Sequence, residues 1–326
     1  MPTLTFVQAV QNALDTEMTR DSRVVVLGED VAVNGGVFRA TEGLLQKFGA
    51  HRVLDTPLSE TGIIGLACGM ALNGLKPVAE IQFADYVFPA YDQIVSELAK
   101  FRYRTGGQYT TPVVVRMPTG GGIRGGHYHS QSPEAAFTQT PGLVVISPST
   151  PADAKGLLAS AIRAEDPVIF LEPKKIYRTL KEDLPEGEHL VPIGPLRLVQ
   201  AGDDITLISY GAMVEICQKA AEKAKTELGA SVEILDLRTL YPVDEAGILT
   251  SVQKTGRAVI VHEAPKTCGY GAEIAALIAE KALDSLQAPV ARVGGFDTPF
   301  PYTLEAVYLP HPIRVFHALA KVLNYD

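Results

Sequence analysis

The polar residues best placed to do chemistry stand directly after apolar, strand-like runs. Such runs lead into Gly28-Glu29-Asp30, Asp55-Thr56-Pro57-Leu58-Ser59-Glu60, Gln82-Phe83-Ala84-Asp85-Tyr86 and the loop from Thr119 to Glu134. Open parallel sheets bind ligands beyond the carboxyl ends of their strands, which makes these four stretches the candidates for a site. Glu60 precedes a small-residue helix, Ile63 to Leu72, whose glycines and alanines permit close packing. An acid there can hold a proton for a ligand. It can also be a first-turn acid behind a Ser59 N-cap, and the local sequence by itself favours that plainer role. The loop holds Gly120, Gly121, Gly122, Gly125 and Gly126 together with His127 and His129. It lacks the Gly-Lys-Ser/Thr ending of a P-loop and the helix of a dinucleotide fingerprint, so it is a weak phosphate motif. Two histidines with no third ligand in sight make a poor metal site. A loop that presents an imidazole for proton transfer near neutrality fits these residues better. Phe83 and Tyr86 serve equally well as core aromatics.

The elements that must carry these residues alternate. Val24 to Leu27 is a continuous apolar run, as expected of a strand buried on both faces of a parallel sheet, and Val78 to Ile81, Val113 to Val115, Val144 to Ser147 and Val168 to Leu171 repeat the pattern. Helical segments such as Ala90 to Arg104 and Ala152 to Ala164 separate them. From about Lys181 to Gln200 the period is lost among Pro185, Gly187, Pro192, Gly194 and Pro195, which reads as a linker. Alternation resumes with Ile205 to Ser209, a helix from Met213 to Leu228, Val232 to Leu235, Ala258 to Val261 and a helix from Gly271 to Leu286. The expectation is an α/β protein of two doubly wound domains: residues 1–185, a linker over 186–200, and a smaller domain over 201–326.

A chain of 326 residues, 46% of them hydrophobic, can bury a large core. The net charge of -8 is dispersed and no basic stripe appears, which argues against a nucleic-acid binder that must neutralise phosphates. No run of about 18 apolar residues offers a membrane span, and the N-terminus does not resemble a signal peptide. Cys68, Cys217 and Cys268 are odd in number and scattered, as expected of buried thiols in a reducing compartment. A cytoplasmic enzyme is the expectation.

Several segments, taken together and in order, resemble a known family over nearly the whole chain. They are Val26-Leu27-Gly28-Glu29-Asp30-Val31, Asp55 to Glu60, Glu80-Ile81-Gln82-Phe83-Ala84-Asp85-Tyr86, His129-Ser130-Gln131-Ser132-Pro133-Glu134, Pro151 to Leu158 and Asp236-Leu237-Arg238-Thr239-Leu240. The chain resembles the β subunit of the thiamine diphosphate-dependent component of 2-oxo acid dehydrogenase complexes. The resemblance implies a transketolase-like pyrimidine-binding domain followed by a transketolase C-terminal-like domain. It assigns Glu60 to the carboxylate that shares a proton with N1′ of the aminopyrimidine, which helps to activate the thiazolium carbon. It places Glu29, Leu58, Ser59 and Gln82 near the cofactor, and Tyr86 beside both its ring and the substrate. His129 is implied to act in acyl transfer, with Phe83, Ala84, Asp85, Tyr128, Ser130 and Gln131 around the substrate. A structural potassium ion is also implied, held by main-chain carbonyls of Val113, Ala161, Ile162, Ala164 and Asp166.

The Gly-Asp-Gly motif that bridges the cofactor diphosphate to protein through Mg²⁺ is missing. The nearest text is Ala201-Gly202-Asp203-Asp204, with no fitting partner. By the resemblance, an alpha subunit holds the diphosphate and Mg²⁺ in an α2β2 assembly, and a dihydrolipoyl acyltransferase core with its lipoyl domain receives the acyl group. The text from His129 to Ala135 and from Phe170 to Arg178 looks like the branched-chain type, with pyruvate and acetoin types as alternatives. Two rivals stand against this reading. A non-catalytic scaffold is countered by the joint presence of Glu29, Glu60, Tyr86 and His129, and a self-contained transketolase-like enzyme by the missing magnesium motif.

Overall fold

The structure is a computed structural model and describes residues 1–325. Its first eight strands are β1 (Thr3–Thr5), β2 (Val24–Gly28), β3 (Val53–Asp55), β4 (Lys76–Glu80), β5 (Val114–Thr119), β6 (Val144–Ile146), β7 (Val168–Pro173) and β8 (Lys181–Asp183). The second half adds β9 (Arg197–Gln200), β10 (Ile205–Ser209), β11 (Val232–Asp236), β12 (Thr239–Tyr241), β13 (Ala258–Pro265) and β14 (Ala291–Gly295).

A seven-stranded sheet runs in the order β12-β6-β7-β5-β4-β2-β3, parallel except for β12. Every residue of β2, β4, β5 and β7 is buried, which explains why these strands are mostly apolar on both faces. Successive side chains feed opposite faces. Val24, Val26, Val78, Val114 and Val168 join a core with the helices Phe6–Arg20 and Pro151–Arg163. Leu27, Ala79, Val115 and Ile169 join a second core with the helix Glu60–Leu72. A five-stranded sheet, β14-β13-β10-β11-β9, repeats this plan in the second half. There the helices Met213–Leu228 and Pro312–Leu323 cover one face, and Glu245–Thr255 and Gly271–Ala282 the other.

Three expectations need correction. The end of the expected linker is structured: β9 pairs antiparallel with β11 and forms an edge of the second sheet. It was hidden because an edge strand is only half-buried and its side chains alternate instead of forming a run. The two halves are also interleaved, since β12 leaves the second domain and pairs antiparallel with β6 at the edge of the first sheet. The expected helix from Ala90 to Arg104 is helical throughout most of its length but not uniform. A 3₁₀ stretch, Ala84–Ala90, leads into a π turn at Gln93–Glu97, a 3₁₀ turn at Leu98–Lys100 and an α turn at Phe101–Arg104. The Leu98 N–H is shared between the Gln93 and Ile94 carbonyls, which widens the helix locally.

At the carboxyl ends of the central strands lies a buried charge cluster that no local pattern announces. Arg116 of β5, fully buried, donates to both oxygens of Glu172 on β7 (2.7 and 2.9 Å) and to Glu80 on β4 (2.7 Å). The Tyr177 hydroxyl donates to Glu172 at 2.6 Å. One guanidinium thus ties three adjacent strands together immediately behind the candidate site.

Candidate active site at the carboxyl ends of the first sheet

The four candidate stretches converge. β3 ends at Asp55, whose carboxylate accepts from the backbone N–H groups of Ala32 (2.7 Å) and Val33 (3.2 Å) and so fixes the segment after Glu29. Gln82, just past β4, donates to Asp30 at 3.4 Å. Gly28 must be glycine, because a Cβ there would lie 2.6 Å from the Glu80 carbonyl oxygen.

Glu60 opens its helix, but the capping is done by Ser59, whose hydroxyl accepts from the Gly62 N–H at 3.2 Å. Glu60, half-buried, is the first-turn acid behind that cap. It faces Glu29. Burial pushes the Glu29 carboxyl above its ordinary value, and the negative charges of Glu60 and then Asp30 add to the effect. Two carboxylates that repel one another make a place where a proton is readily held, or where a ligand N–H is welcome. The Tyr86 hydroxyl is raised as well, by burial first and then by Asp85, Glu29 and Glu60, which places it against the same charges.

Tyr86 reaches His129: its oxygen lies 2.7 Å from Nε2, and Nδ1 lies 3.2 Å from the Gly125 carbonyl oxygen. A carbonyl can only accept, so Nδ1 carries the proton and donates to Gly125. Nε2 of the neutral ring then accepts from the Tyr86 hydroxyl. Phe83 forms the floor, edge-on to the imidazole with ring centres 4.7 Å apart and 5.5 Å from the Tyr86 ring. Asp85 turns away from this space and accepts from the backbone N–H groups of Ser130 (3.1 Å) and Gln131 (3.2 Å). It anchors the histidine loop. The Gln131 carbonyl closes the loop by accepting from the Gly120 N–H and the Thr119 hydroxyl, each at 3.0 Å.

The structure thus gathers Glu29, Glu60, Gln82, Phe83, Tyr86 and His129 around one space. It does not bring all the expected residues there. Ala84 is fully buried in the core, and Ser130 is buried with its hydroxyl lacking a hydrogen-bond partner. Tyr128 is 66% exposed, tilted against His127, and lines a neighbouring cleft of about 340 Å³ with Gln131, Glu263, Phe300 and Tyr308. Leu58 is 74% exposed at the rim beside Ser59.

The five residues expected to hold potassium lie at the opposite end of the sheet and form no open cradle. The Val113 carbonyl accepts from the Val168 N–H and the Ala161 carbonyl from the Ala164 N–H. The Ile162 and Ala164 carbonyls face the ammonium of Lys76, at 3.4 and 3.5 Å. The Asp166 carboxylate pairs with Arg102 at 2.5 Å. A lysine ammonium thus stands before two of the five expected carbonyls, Ile162 and Ala164.

Sequence reasoning missed the support behind the site. Besides Arg116 and its partners, Glu263 of β13 accepts from the Gly121 N–H and so ties the glycine loop to the second domain. Burial pushes its carboxyl up. Burial pulls the Lys174 amine down to about 8, against the attraction of Glu263, Asp85 and Glu305, and its ammonium stands 5.6 Å from the Phe83 ring centre. The lysine directly after the strand-like Phe170–Pro173 run was the available signal, since it occupies the same kind of strand-end position as Glu29 and Gln82. Of the cysteines, Cys68 and Cys217 are buried as expected, whereas Cys268 is exposed.

The profile of the transketolase pyrimidine-binding domain matches residues 3–179, and that of the transketolase C-terminal domain matches residues 194–315. A solved structure titled "Split gene transketolase, inactive beta4 tetramer" superposes with a TM-score of 0.81 over 98% of both chains at 22% identity, which speaks for the fold. These features define a transketolase-like protein of two domains. The chain is 52% identical over 319 residues (98% of it, 86% of the relative) to the mitochondrial 2-oxoisovalerate dehydrogenase subunit beta of Dictyostelium discoideum. It is 49% identical over 337 residues (98% and 95%) to the 2-oxoisovalerate dehydrogenase subunit beta of Pseudomonas aeruginosa. It is also 50% identical over 326 residues (100% of each) to the pyruvate dehydrogenase E1 component subunit beta of Staphylococcus epidermidis. The chain belongs to the family of β subunits of 2-oxo acid dehydrogenases, which are thiamine diphosphate-dependent oxidoreductases. Among the described residues, no helix is long and apolar enough to cross a membrane.

Proposed function

We propose that this chain supplies the half of a thiamine diphosphate site that grips the aminopyrimidine ring through Glu60, in an enzyme that decarboxylates branched-chain 2-oxo acids and passes the acyl group to a lipoyl domain. The observation that carries this is the joining of Tyr86 to His129 at 2.7 Å over the Phe83 ring, with the charges of Glu29 and Glu60 bearing on the same tyrosine. The chemistry supplied by the bound cofactor is a nucleophilic carbon on its thiazolium ring. Glu60 would hold the proton shared with N1′ and Glu29 would support it, while Gln82 and Tyr86 line the ring. Once the Tyr86 hydroxyl gives way and Nε2 takes up a proton, His129 would donate from Nε2 to the substrate carboxylate, or pass that proton to the lipoyl sulfur.

Val33 (75%), Leu58 (74%) and Phe88 (47%), on the segments that carry Glu29, Glu60 and Tyr86, are exposed, as expected of a surface covered by another subunit. We assign that role to an alpha subunit in an α2β2 assembly, which holds Mg²⁺ and the diphosphate, with a dihydrolipoyl acyltransferase core as the further partner. Relatives named for 2-oxoisovalerate and the text from Phe170 to Arg178 support branched-chain substrates. The relative named for pyruvate makes pyruvate the comparison substrate. Three cysteines without a disulfide suit the reducing cytoplasm. The test is co-expression with the alpha subunit and turnover on pyruvate and branched-chain 2-oxo acids. Glu60→Ala should abolish decarboxylation with the circular dichroism spectrum unchanged, and near-normal turnover would overturn the assignment.

A further inference from the structure

We propose that Lys76 stands in for a structural monovalent cation, so that this chain needs no potassium at the amino end of its first sheet. The last carbonyls of the helix Pro151–Arg163 have no partner within the helix and carry the negative end of its dipole. The cap at Ala164 turns its N–H back to Ser160 and Ala161, which leaves the following carbonyls to be satisfied from outside. Lys76, the first residue of β4 and only 7% exposed, provides this. Its Nζ lies 3.1 Å from the Arg163 carbonyl oxygen, 3.4 Å from that of Ile162 and 3.5 Å from that of Ala164, and 3.6 Å from the Glu165 carboxylate.

An ammonium has three donors and no acceptor, and here three carbonyls face it. Hard cations are bound by oxygens of this kind, but a metal ion added among them would meet the fixed positive charge of Lys76 at close range. Ammonium and metal are therefore alternatives for one place. The lysine has the further effect of tying the start of β4 to the end of the helix. β4 leads through Glu80 to Gln82 and Tyr86, so the tether holds the far end of the strand that carries the site. The inference rests on the carbonyl cluster alone and does not depend on the catalytic reading.

The test is the unfolding temperature of the full chain, co-expressed with its alpha subunit, in potassium, sodium or choline chloride at equal ionic strength. The wild type should unfold at the same temperature in all three salts, and a crystal soaked in rubidium should show no anomalous peak at these carbonyls. A potassium-specific rise in the wild type, or a rubidium peak there, would overturn the proposal without any variant. Lys76→Thr, which opens the space, should unfold about 2–4 °C lower in choline chloride. Potassium should restore at least half of that loss. Lys76→Met, which fills the space without charge, should fall likewise and gain nothing from potassium. A Lys76→Thr protein as stable as wild type in choline chloride, or one that potassium fails to restore, would reduce Lys76 to an ordinary helix-end lysine and refute the idea.

Discussion

Acidification should load the second domain through a single buried histidine, His262 of β13. The ring is completely buried, Nδ1 lies 3.1 Å from the Ala264 carbonyl oxygen, and Nε2 has no partner. Glycine backbone packs around it: a Cβ on Gly269, Gly271 or Gly294 would come within 2.6, 2.7 or 3.1 Å of the ring. Burial, and secondarily the charge of Arg292, pull the imidazole down from 6.5 to about 4, against the bond to Ala264. In the unfolded chain the ring takes its proton near 6.5. Between these values the unfolded chain binds one proton more than the native one, so stability is full above pH 6.5 and falls as the pH drops towards 4. At ~1.4 kcal/mol per pH unit the loss is about 3 kcal/mol. Asp236 acts in the opposite sense. Burial pushes its carboxyl up from 3.8 to about 6, so the native state holds a proton that the unfolded chain releases, and this contribution shrinks as the pH rises. The readout must therefore be a difference. His262→Asn keeps a donor for Ala264 and cannot titrate; urea unfolding of both proteins from pH 7 to pH 4 should show the wild type losing about 3 kcal/mol more than the variant. Parallel stability curves would refute the reasoning.

Three further outcomes are expected. His129→Ala should impair reductive acylation of a lipoyl domain more than decarboxylation measured with an artificial electron acceptor, and equal losses would remove His129 from acyl transfer. Arg116→Met leaves Glu80 and Glu172 buried without their counter-charge, and it should cost about 3–5 kcal/mol in urea unfolding. A loss below about 1 kcal/mol would mean that the carboxylates are neutral in the native state. Titration calorimetry of the chain without an alpha subunit should detect no tight binding of thiamine diphosphate with Mg²⁺; tight binding would show that the diphosphate site lies on this chain.

What could be read in the sequence follows from what each residue's neighbours are. β2, β4, β5 and β7 were legible because both faces are buried and each holds a stretch of consecutive apolar residues. Glu60 and His129 could be singled out because they follow such runs. Arg116 was not legible, since it sits inside a strand and its partners Glu80 and Glu172 are 36 and 56 residues away. Lys76 was hidden for a different reason: its acceptors are main-chain oxygens, which leave no mark on side-chain text. The expectation of potassium came from position alone, and the proposal that Lys76 supplies the charge instead rests on those main-chain contacts. β9 and β12 are short edge strands, too brief to set a period.

The exchange of β12 makes the two halves unequal to independent life. A fragment cut in the linker would keep the seven-stranded sheet without β12, baring the hydrogen-bonding edge of β6, whose Val144-Val145-Ile146 is uncharged and β-branched. Unpaired edges of that kind recruit copies of themselves. Proteolytic nicking near Gly187 should therefore yield not two soluble domains but a sticky one, so that the linker, though it looks like a seam, is a poor place to divide this chain for expression, fusion or domain exchange.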